Sequence, residues 1–493
     1  MPSSVETRYA RAADGTHVGY QVTGEGPVDL VWVRAWHSNV EHEWDEPVLT
    51  RMIRRLGSIG RVIRLDARGT GLSDRVIHRP PPTIEDRVDD IRAVMDSAGS
   101  RRAALIGLAS GGQLCAMFAA AHPERTACLI LYHTTAGRAW GDDSAPPNDP
   151  RLERFIDALR IGWGTEEMAS RMLASSAPSR AHDAGLAHWL ADEQRASGTV
   201  DDAIALARID YETDIRGILP AIHVPTLVLS RDGFPLAGHD EDGVAGVGTA
   251  ELAPSARAIA AAIPRAHLVI VPGDDHMALA GDTDAILRAI EEYIEDLAEP
   301  VEAEPNRVLA TLLFTDIAGS TAMAATLGDR RWADLLAQHH EQMRELLGSY
   351  RGHEIDTAGD GFLATFDGPG RAIRCAQAAM EAVAALGLRL RAGLHTGEVE
   401  AVGGGVRGIA VHIAARVAAL AAPSEVLVSR TVRDLVAGSG FAFEERGLHE
   451  LRGVPGDWAL YAVLGETPHM ATPAEAGRTD REIVDSQDAP SVV

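Results

Sequence analysis

The sequence predicts two successive domains: an α/β domain with a mostly parallel sheet over residues 1–297, and a smaller α+β domain over 308–465. Apolar runs alternate with helical patterns in the first half, which is typical of a parallel sheet covered on both faces. An acidic segment with two prolines, 298–307, is interpreted as a linker. The strands and helices after it favour a mainly antiparallel sheet with helices packed on it.

The 493-residue chain has a formal net charge of −25, and every basic residue is arginine. Such an acidic chain is poorly suited to bind the phosphate backbone of a nucleic acid, so we expect no nucleic-acid partner. We find no apolar run long enough to cross a membrane and no secretory signal pattern. Three cysteines without metal-site spacing favour a reducing cytoplasm. The Pro-, Glu-, Asp- and Ser-rich segment 466–493 is predicted to be disordered.

The first domain contains six buried strand patterns separated by helical periodicity. Residues 137–215 lie between the strand patterns 128–132 and 225–230. They have a mixed helical pattern that fits a cap inserted over a pocket. Trp140, Trp163 and Trp189 are candidates to line that pocket, although aromatic residues at helical spacing also suit a plain core. The strand patterns cover 28–33, 61–65, 103–106, 128–132, 225–230 and 266–271.

A sharp glycine turn, Gly107-Leu108-Ala109-Ser110-Gly111-Gly112, follows the third of these strands and precedes a helix. This arrangement is similar to the nucleophile elbow Gly-x-Ser-x-Gly, and residues 1–297 as a whole resemble the α/β-hydrolase fold. The nucleophile position is occupied by Ala109. If Ser110 replaced it, Leu108 would stand where the elbow needs a small residue, so we interpret Ser110 as a hydroxyl at a helix N-terminus.

The resemblance places the remaining triad positions after the last two strands. His276 matches the triad histidine, and Asp232 is the candidate acid, although it could equally form a turn. A histidine without a nucleophile offers no covalent route. We therefore predict a degenerate hydrolase triad of Ala109, Asp232 and His276, with a pocket for a small apolar ligand.

Two aspartates dominate the second domain. A buried strand, 308–314, leads to Asp316, and the turn Gly359-Asp360-Gly361 lies between two later apolar runs. Two carboxylates from adjacent strands suit a pair of divalent metals, because hard cations take oxygen ligands. The glycines beside them allow a triphosphate to approach the backbone.

Further motifs in the same order are Gly393-Leu394-His395-Thr396-Gly397 and the helix ending at Arg416. With the two aspartates they resemble the class III nucleotidyl cyclase domain, and the whole chain resembles bacterial hydrolase–cyclase fusions. The resemblance implies two Mg²⁺ or Mn²⁺ ions per site, held by Asp316, Asp360 and the carbonyl of Ile317. It also implies a homodimer, because in this family the metal aspartates and the arginine come from different chains.

The resemblance also assigns the residues that handle the nucleoside triphosphate. Arg416 matches the arginine that stabilises the reacting phosphate. His412 lies one helical turn earlier, where the family more often has asparagine, and Arg452 stands where the family has a phosphate-binding lysine. The proposed nucleotide contacts near Asp316 are Gly319, Ser320 and Thr321.

The base-reading positions differ from those of the adenylyl cyclases. Asp356 and Gly405 stand where these enzymes usually have lysine and aspartate. A carboxylate at position 356 can accept from the adenine amino group, or from N1–H and the 2-amino group of guanine. ATP is the expected substrate because the fusion family favours it, and GTP or low specificity is the alternative.

Three hypotheses follow. The first is an adenylyl cyclase with a degenerate hydrolase-like domain as regulatory or ligand-sensing module. The second is a signalling protein that binds nucleotide without turnover, and the third is an esterase whose cyclase domain is vestigial.

Overall fold

A computed structural model describes residues 5–34, 37–75, 82–138, 149–233, 252–297 and 307–466. The linker up to residue 306, the predicted disordered tail after residue 466 and Trp140 lie outside the described residues. Each half of the chain forms its own eight-stranded sheet, which confirms the predicted fold class.

The first sheet is parallel except at one edge. Its order is β1-β2-β4-β3-β5-β6-β7-β8, in which the β1–β2 and β2–β4 pairs are antiparallel. Central strands are buried on both faces, which explains their continuous apolar sequence. The strands are β1 (Thr7–Arg11), β2 (His17–Thr23), β3 (Val28–Val33), β4 (Gly60–Leu65), β5 (Ala103–Leu108), β6 (Thr126–Tyr132), β7 (Thr226–Arg231) and β8 (Ala266–Val271).

Helices cover both faces of this sheet, and four of them, α4 to α7, come between β6 and β7 in the predicted cap region. Asp282 caps the last helix by accepting a hydrogen bond from the backbone N–H of Ala285 at 2.9 Å. The helices are α1 (Pro47–Leu56), α2 (Ile84–Ser97), α3 (Gly111–Ala121), α4 (Pro150–Gly162), α5 (Glu166–Ser176), α6 (Ala184–Ser197), α7 (Val200–Glu212), α8 (Leu252–Ala262) and α9 (Thr283–Asp296).

The second sheet has the order β10-β11-β9-β12-β14-β16-β15, with β13 paired to β12. The β12–β14 pair is parallel, and the other pairs are antiparallel. The strands are β9 (Arg307–Ile317), β10 (His353–Ala358), β11 (Gly361–Phe366), β12 (Leu390–Val402), β13 (Gly405–Arg407), β14 (Val426–Ser429), β15 (Phe441–Glu450) and β16 (Asp457–Glu466).

The helices of the second domain are α10 (Ser320–Leu327), α11 (Asp329–Ser349), α12 (Pro369–Ala385), α13 (Ile409–Leu420) and α14 (Arg430–Leu435). The sequence pattern predicts a helical stretch from about residue 320 to 350, and the structure confirms it with one interruption. Gly328 adopts a φ of 77°, which a helix cannot continue through, and it separates α10 from α11. The short helix α14 was not predicted.

The two domains meet through charged groups of α2 and the start of α12. Glu85 Oε1 accepts a hydrogen bond from the backbone N–H of Arg371 at 2.8 Å. The Arg371 guanidinium donates to Asp89 and to Asp367, each at 2.8 Å. A Cβ at position 370 would lie 2.6 Å from Glu85 Oε1, so a side chain there would have to displace this carboxylate. The first domain therefore caps a helix of the second.

Apolar contacts join the domains near this charged contact. Leu309 of β9 and Leu435 of α14 belong to the apolar cluster of the first domain. Helix α3 contacts β9, and the 3₁₀ helix Arg216–Ala221 contacts both β9 and β12. The strand that carries Asp316 is thus packed against the helix that begins at the glycine turn.

The contact at Glu85 gives the free energy of unfolding a pH dependence. Burial and the neighbouring Asp86 raise the pKa of Glu85 from its usual 4.5 to about 6, against the attraction of Arg371. The folded protein then holds this proton more tightly than the unfolded chain, so stability falls as pH rises from 4.5 to 6. That difference corresponds to about 2 kcal/mol.

We expect Glu85→Gln to remove the fall in the free energy of unfolding with rising pH. Glutamine keeps the hydrogen-bond acceptor for Arg371 and removes the buried charge. The gain in the free energy of unfolding over the native protein should grow between pH 4.5 and 6 and then level off. Denaturant titrations at several pH values measure it, with the exposed Glu341→Gln as control. An equal gain at every pH would contradict the assignment.

Candidate functional site

Asp316 lies one residue before the end of β9, on the same face of the sheet as Leu312 and Phe314. Its register partner on β12 is Arg391. Arg391 donates through Nη2 to Asp316 Oδ2 at 2.7 Å and through Nε to the other carboxylate oxygen. The two side chains are 41% and 34% exposed, so solvent reaches the pair. Arg391 has no signal of its own in the sequence pattern, because only strand register brings these distant positions together.

Asp360 lies in the turn between β10 and β11, beside the end of β9. Since β11 pairs with β9, this turn comes next to Asp316. The backbone N–H of Ile317 donates to Asp360 Oδ2 at 3.0 Å. The structure therefore brings together Asp316, Ile317 and Asp360, the three predicted metal ligands.

Two histidines of α11 hold this turn. The sequence pattern did not predict this role. Nε2 of His339 lies 3.3 Å from the carbonyl oxygen of Asp360, and Nε2 of His340 lies 2.9 Å from that of Gly359. Because a carbonyl only accepts, both rings carry their proton on Nε2. Burial lowers the pKa of His339, which keeps its ring neutral. A pair of histidines within a helix has no local signal that would predict this role.

The residues present fit divalent metals. Two carboxylates and a backbone carbonyl are the hard oxygen donors that Mg²⁺ and Mn²⁺ prefer, and such sites are usually completed by substrate phosphates. The described ranges contain no group of three or more His, Cys, Asp or Glu side chains arranged to hold a metal ion, so substrate or solvent oxygens would complete the shell. Gly319 and Gly359, with φ of 74° and 64°, face open space that a triphosphate can enter.

Arg416 and His412 lie on one exposed face of α13, one turn apart. Arg416 Nε donates to the carbonyl oxygen of Arg452 at 3.3 Å, so these two predicted phosphate-binding residues are neighbours. Among the described contacts, none joins Arg416 to Asp316 or Asp360.

The base-reading positions lie on neighbouring strands. Asp356 is exposed on β10 directly after a β-bulge, and Gly405 begins β13, which contacts β10. A Cβ at Gly405 would meet only the carbonyl oxygen of Val402, at 3.6 Å. Asp356 therefore supplies the polar side chain of this predicted pair.

In the first domain, Ala109 retains the strained geometry of an elbow, with a φ of 50°. Its neighbours must be small: a Cβ at Gly107 would lie 2.4 Å from Gly112 Cα, and one at Gly111 would lie 2.4 Å from backbone oxygens after β3. The turn keeps the shape of a nucleophile elbow and presents a methyl group.

The prediction that Asp232 is the acid partner of His276 is wrong. Asp232 is exposed and accepts from the backbone N–H of Gly273 at 3.3 Å. His276 instead contacts His133, with the two Nδ1 atoms 3.1 Å apart. His133 directly follows β6, at the carboxyl edge of the parallel sheet where functional residues gather, and this position was the available sequence signal.

The prediction that Ser110 lies at a helix N-terminus is confirmed. Ser110 precedes α3 in helical conformation, and its side chain makes no capping hydrogen bond. Its Oγ is buried without a hydrogen-bond partner, and the residue borders a cavity of about 170 Å³ beneath α5 and α6. Trp189 lines that cavity as predicted, whereas Trp163 packs at the edge of the apolar core.

Comparison with known proteins assigns both halves of the chain. Residues 30–290, more than half of the chain, match the model of the alpha/beta hydrolase family, and residues 303–465 match the adenylate and guanylate cyclase catalytic domain. The chain therefore belongs to the alpha/beta hydrolase family, and a class III nucleotidyl cyclase catalytic domain follows its hydrolase-like domain.

Individual relatives match one half each. The putative adenylate cyclase 3 of Rhizobium meliloti is 29% identical over 158 residues, 30% of this chain and 27% of that protein. Human epoxide hydrolase 4 is 30% identical over 124 residues, 25% of this chain and 33% of that protein. This chain thus spans a third or less of these curated relatives.

Among solved structures, a hydrolase from Pseudomonas aeruginosa has a TM-score of 0.47 at 23% identity, covering 59% of this chain and 99% of its own. The P. aeruginosa adenylyl cyclase CyaB has a TM-score of 0.32 at 20% identity, covering 34% and 98%. Within the described ranges, no helix combines the length and the apolar character needed to cross a bilayer.

Proposed function

We propose that the chain is an adenylyl cyclase, which forms cyclic AMP and pyrophosphate from ATP at a site shared by two copies. The observation that carries this proposal is the cluster of Asp316, Ile317 and Asp360, joined by the hydrogen bond from Ile317 N–H to Asp360. The match to the cyclase catalytic domain supports the reaction class, and the name of the Rhizobium meliloti relative supports ATP.

Cyclisation joins the ribose 3′-oxygen to the α-phosphorus and breaks the bond to the β-phosphate. Two divalent metals would lower the pKa of the 3′-hydroxyl and neutralise the phosphates. In this proposal Asp316, Asp360 and the Ile317 carbonyl hold them. The paired Arg391 then releases Asp316 and is available to the triphosphate, for which its planar guanidinium is well suited.

The other half of the site would come from a second copy. Arg416 stabilises charge on the reacting phosphate, His412 donates a hydrogen bond to the ribose, and Arg452 binds the triphosphate. The absence of a described contact between Arg416 and the aspartates of its own chain favours a homodimer with two equivalent sites.

The buried thiols Cys115, Cys128 and Cys375 favour a cytoplasmic location.

Purified full-length protein, assayed with Mn²⁺ or Mg²⁺ and with ATP and GTP separately, tests the proposal. We expect cyclic AMP as the main product. Cyclic GMP in excess over cyclic AMP would favour the guanylyl alternative, because Asp356 can also accept from guanine. Nucleotide binding without product from either substrate would favour the non-catalytic alternative.

The Asp356→Lys variant should shift selectivity toward ATP. A lysine can donate to N1 of adenine, whereas N1 of guanine carries a hydrogen and repels a donor. A hydrogen bond to a charged group contributes roughly 1.5–3 kcal/mol, so we expect the ratio of kcat/KM for ATP over GTP to rise at least about tenfold. Asp329→Lys, an exposed change on α11, is the control, and an unchanged ratio would contradict a base contact by Asp356.

We further propose that the first domain senses a small ligand and regulates the cyclase. Its cavity is lined by residues of the glycine turn, including Ala109 and Ser110. Helix α3 begins at this turn and contacts β9, the strand that carries Asp316. A ligand that displaces α3 would therefore act on the metal-binding strand directly. Esterase activity is the less favoured alternative, because Ala109 supplies no nucleophile.

A further inference from the structure

The register between β10 and β11 changes within β10, next to the proposed base contact. Glu354 lies opposite Ala364, whereas Asp356 lies opposite Leu363, so Ile355 has no partner in β11. Such an extra residue is a β-bulge, and a bulge can re-aim a side chain beside a functional site. Because side chains alternate along a strand, the extra residue also reverses the face to which the preceding side chain of β10 points.

Asp356 and Glu354 consequently point to opposite faces of the sheet. Leu363, opposite Asp356, packs with β9 and α13 on the face that carries Asp316. Ala364, opposite Glu354, belongs instead to the core cluster formed with α11 and α12. In an unbroken strand, residues two apart point to the same face, and both carboxylates would lie on the side of the proposed nucleotide site. The bulge therefore separates the two charges.

A charged contact with α11 holds Glu354 on its face. Arg344 donates through Nε to Glu354 Oε2 at 2.8 Å and through Nη2 to Oε1 at 3.0 Å. The hydroxyl of Thr357, the residue directly after Asp356, donates to the same Oε1 at 2.7 Å. The hydrogen bonds from Arg344 and Thr357 lower the pKa of Glu354, which keeps this carboxylate charged at neutral pH. We call Arg344, Glu354 and Thr357 the bulge network.

The bulge network fixes a position more than it adds stability. The side chains of Arg344 and Glu354 are 52% and 32% exposed, and exposed ion pairs contribute little to the free energy of unfolding. Their two parallel hydrogen bonds nevertheless set the orientation of both groups. One helical turn earlier, Nε2 of His340 lies 2.9 Å from the carbonyl oxygen of Gly359. Helix α11 thus holds the hairpin at its turn and at its bulge, with Asp356 between the two contacts.

We infer that the bulge network positions Asp356 for the nucleotide base, so that Arg344 and Glu354 determine base selectivity from the opposite face of the sheet. This inference rests on the proposed function, because it takes Asp356 as the base contact. A carboxylate can accept from N1–H and the 2-amino group of guanine, but only from the 6-amino group of adenine. Loss of its position should therefore weaken binding of a guanine nucleotide more than binding of an adenine nucleotide.

The test measures binding of 3′-deoxyATP and 3′-deoxyGTP to the full chain with Mn²⁺ by calorimetry. Both analogues lack the hydroxyl that cyclisation needs, so the measurement does not depend on turnover. The quantity compared is the dissociation constant for 3′-deoxyGTP divided by that for 3′-deoxyATP. We expect Asp356→Ala to raise this ratio about tenfold, which corresponds to the loss of one hydrogen bond to a charged group.

Glu354→Ala and Arg344→Ala should each raise the same ratio at least about threefold, because either change releases Asp356 from its position. Either change added to Asp356→Ala should have no further effect, since the side chain through which the network acts is then gone. Glu354→Gln keeps an acceptor oxygen for Arg344 and should lie closer to the native ratio than Glu354→Ala. The control is Glu345→Ala, an exposed change on α11 that should leave the ratio unchanged.

Equal weakening of both analogues by Glu354→Ala would mean a general disturbance of the hairpin and would overturn the inference. Additive effects with Asp356→Ala would also overturn it, as would a Glu354→Gln variant as impaired as Glu354→Ala. An unchanged ratio in Asp356→Ala, or no binding of either analogue, would remove its basis. If the expected binding results were found without cyclic product from ATP, the cyclase reaction would be refuted and the positioning role would stand.

Discussion

The Asp360→Asn variant is expected to lose about three orders of magnitude in kcat with ATP, because cyclisation depends on the negative charge of this side chain. Metal stabilisation of a transition state is worth several kcal/mol, and each 1.36 kcal/mol changes a rate tenfold. Asparagine can still accept the hydrogen bond from Ile317 N–H, so the turn held by His339 and His340 should keep its shape. The change therefore separates loss of charge from loss of fold.

The matched control is Asp334→Asn, an exposed residue of α11. Its kcat should stay within about twofold of the native value, since surface substitutions of this kind change little. Circular dichroism and thermal unfolding should show both variants folded. Product formation by Asp360→Asn at the native rate would mean that this carboxylate does not serve the reaction, and the proposed cyclase site would have to be abandoned.

Mixing two inactive variants should restore activity. Asp360→Asn removes the metal half of the site, and Arg416→Ala removes the phosphate half. If each site combines halves of two chains, a heterodimer of these variants has one intact site and one doubly damaged site. With random pairing, half of the dimers are heterodimers, so co-expression should give about a quarter of the native activity.

A second mixture is the control for this complementation. Asp316→Ala and Asp360→Asn damage the same half of the site, so every dimer formed from them lacks an intact site. That mixture should stay at the activity of the single variants. Recovery in both mixtures would point to an artefact of expression, whereas recovery in neither would place the whole site within one chain.

Most elements of both domains followed from hydrophobic periodicity, apart from the break at Gly328 and the short helix α14. The strand leading to Asp316 and the turn at Asp360 were predictable for this reason. Their pairing with Arg391 was not, since it depends on the register between β9 and β12. Side-chain periodicity indicates a strand but does not fix its partner in a sheet of this topology.

The first domain shows a different limit of prediction. Ala109 was identified because the elbow has a strict local pattern. His133 was not, because its role depends on a backbone N–H contributed by Arg231 and on a ring contributed by His276, both far along the chain. Asp232 was the predicted acid because it follows β7. The His276 ring, which it was expected to contact, is instead paired with His133 at the end of β6. Tautomers are set by such three-dimensional contacts and leave no trace in sequence spacing.

The joint between the domains has a consequence for its response to ionic strength. The pair of Arg371 with Asp89 is largely buried, with 12% and 6% of its side chains exposed, and its atoms are 2.8 Å apart. Dissolved ions at 0.1 M salt screen attraction between exposed charges beyond about 10 Å, and they screen buried pairs much less. The packing of Leu309 and Leu435 against the first domain is also insensitive to such screening. Added salt should therefore leave both the charged and the apolar side of the joint in place.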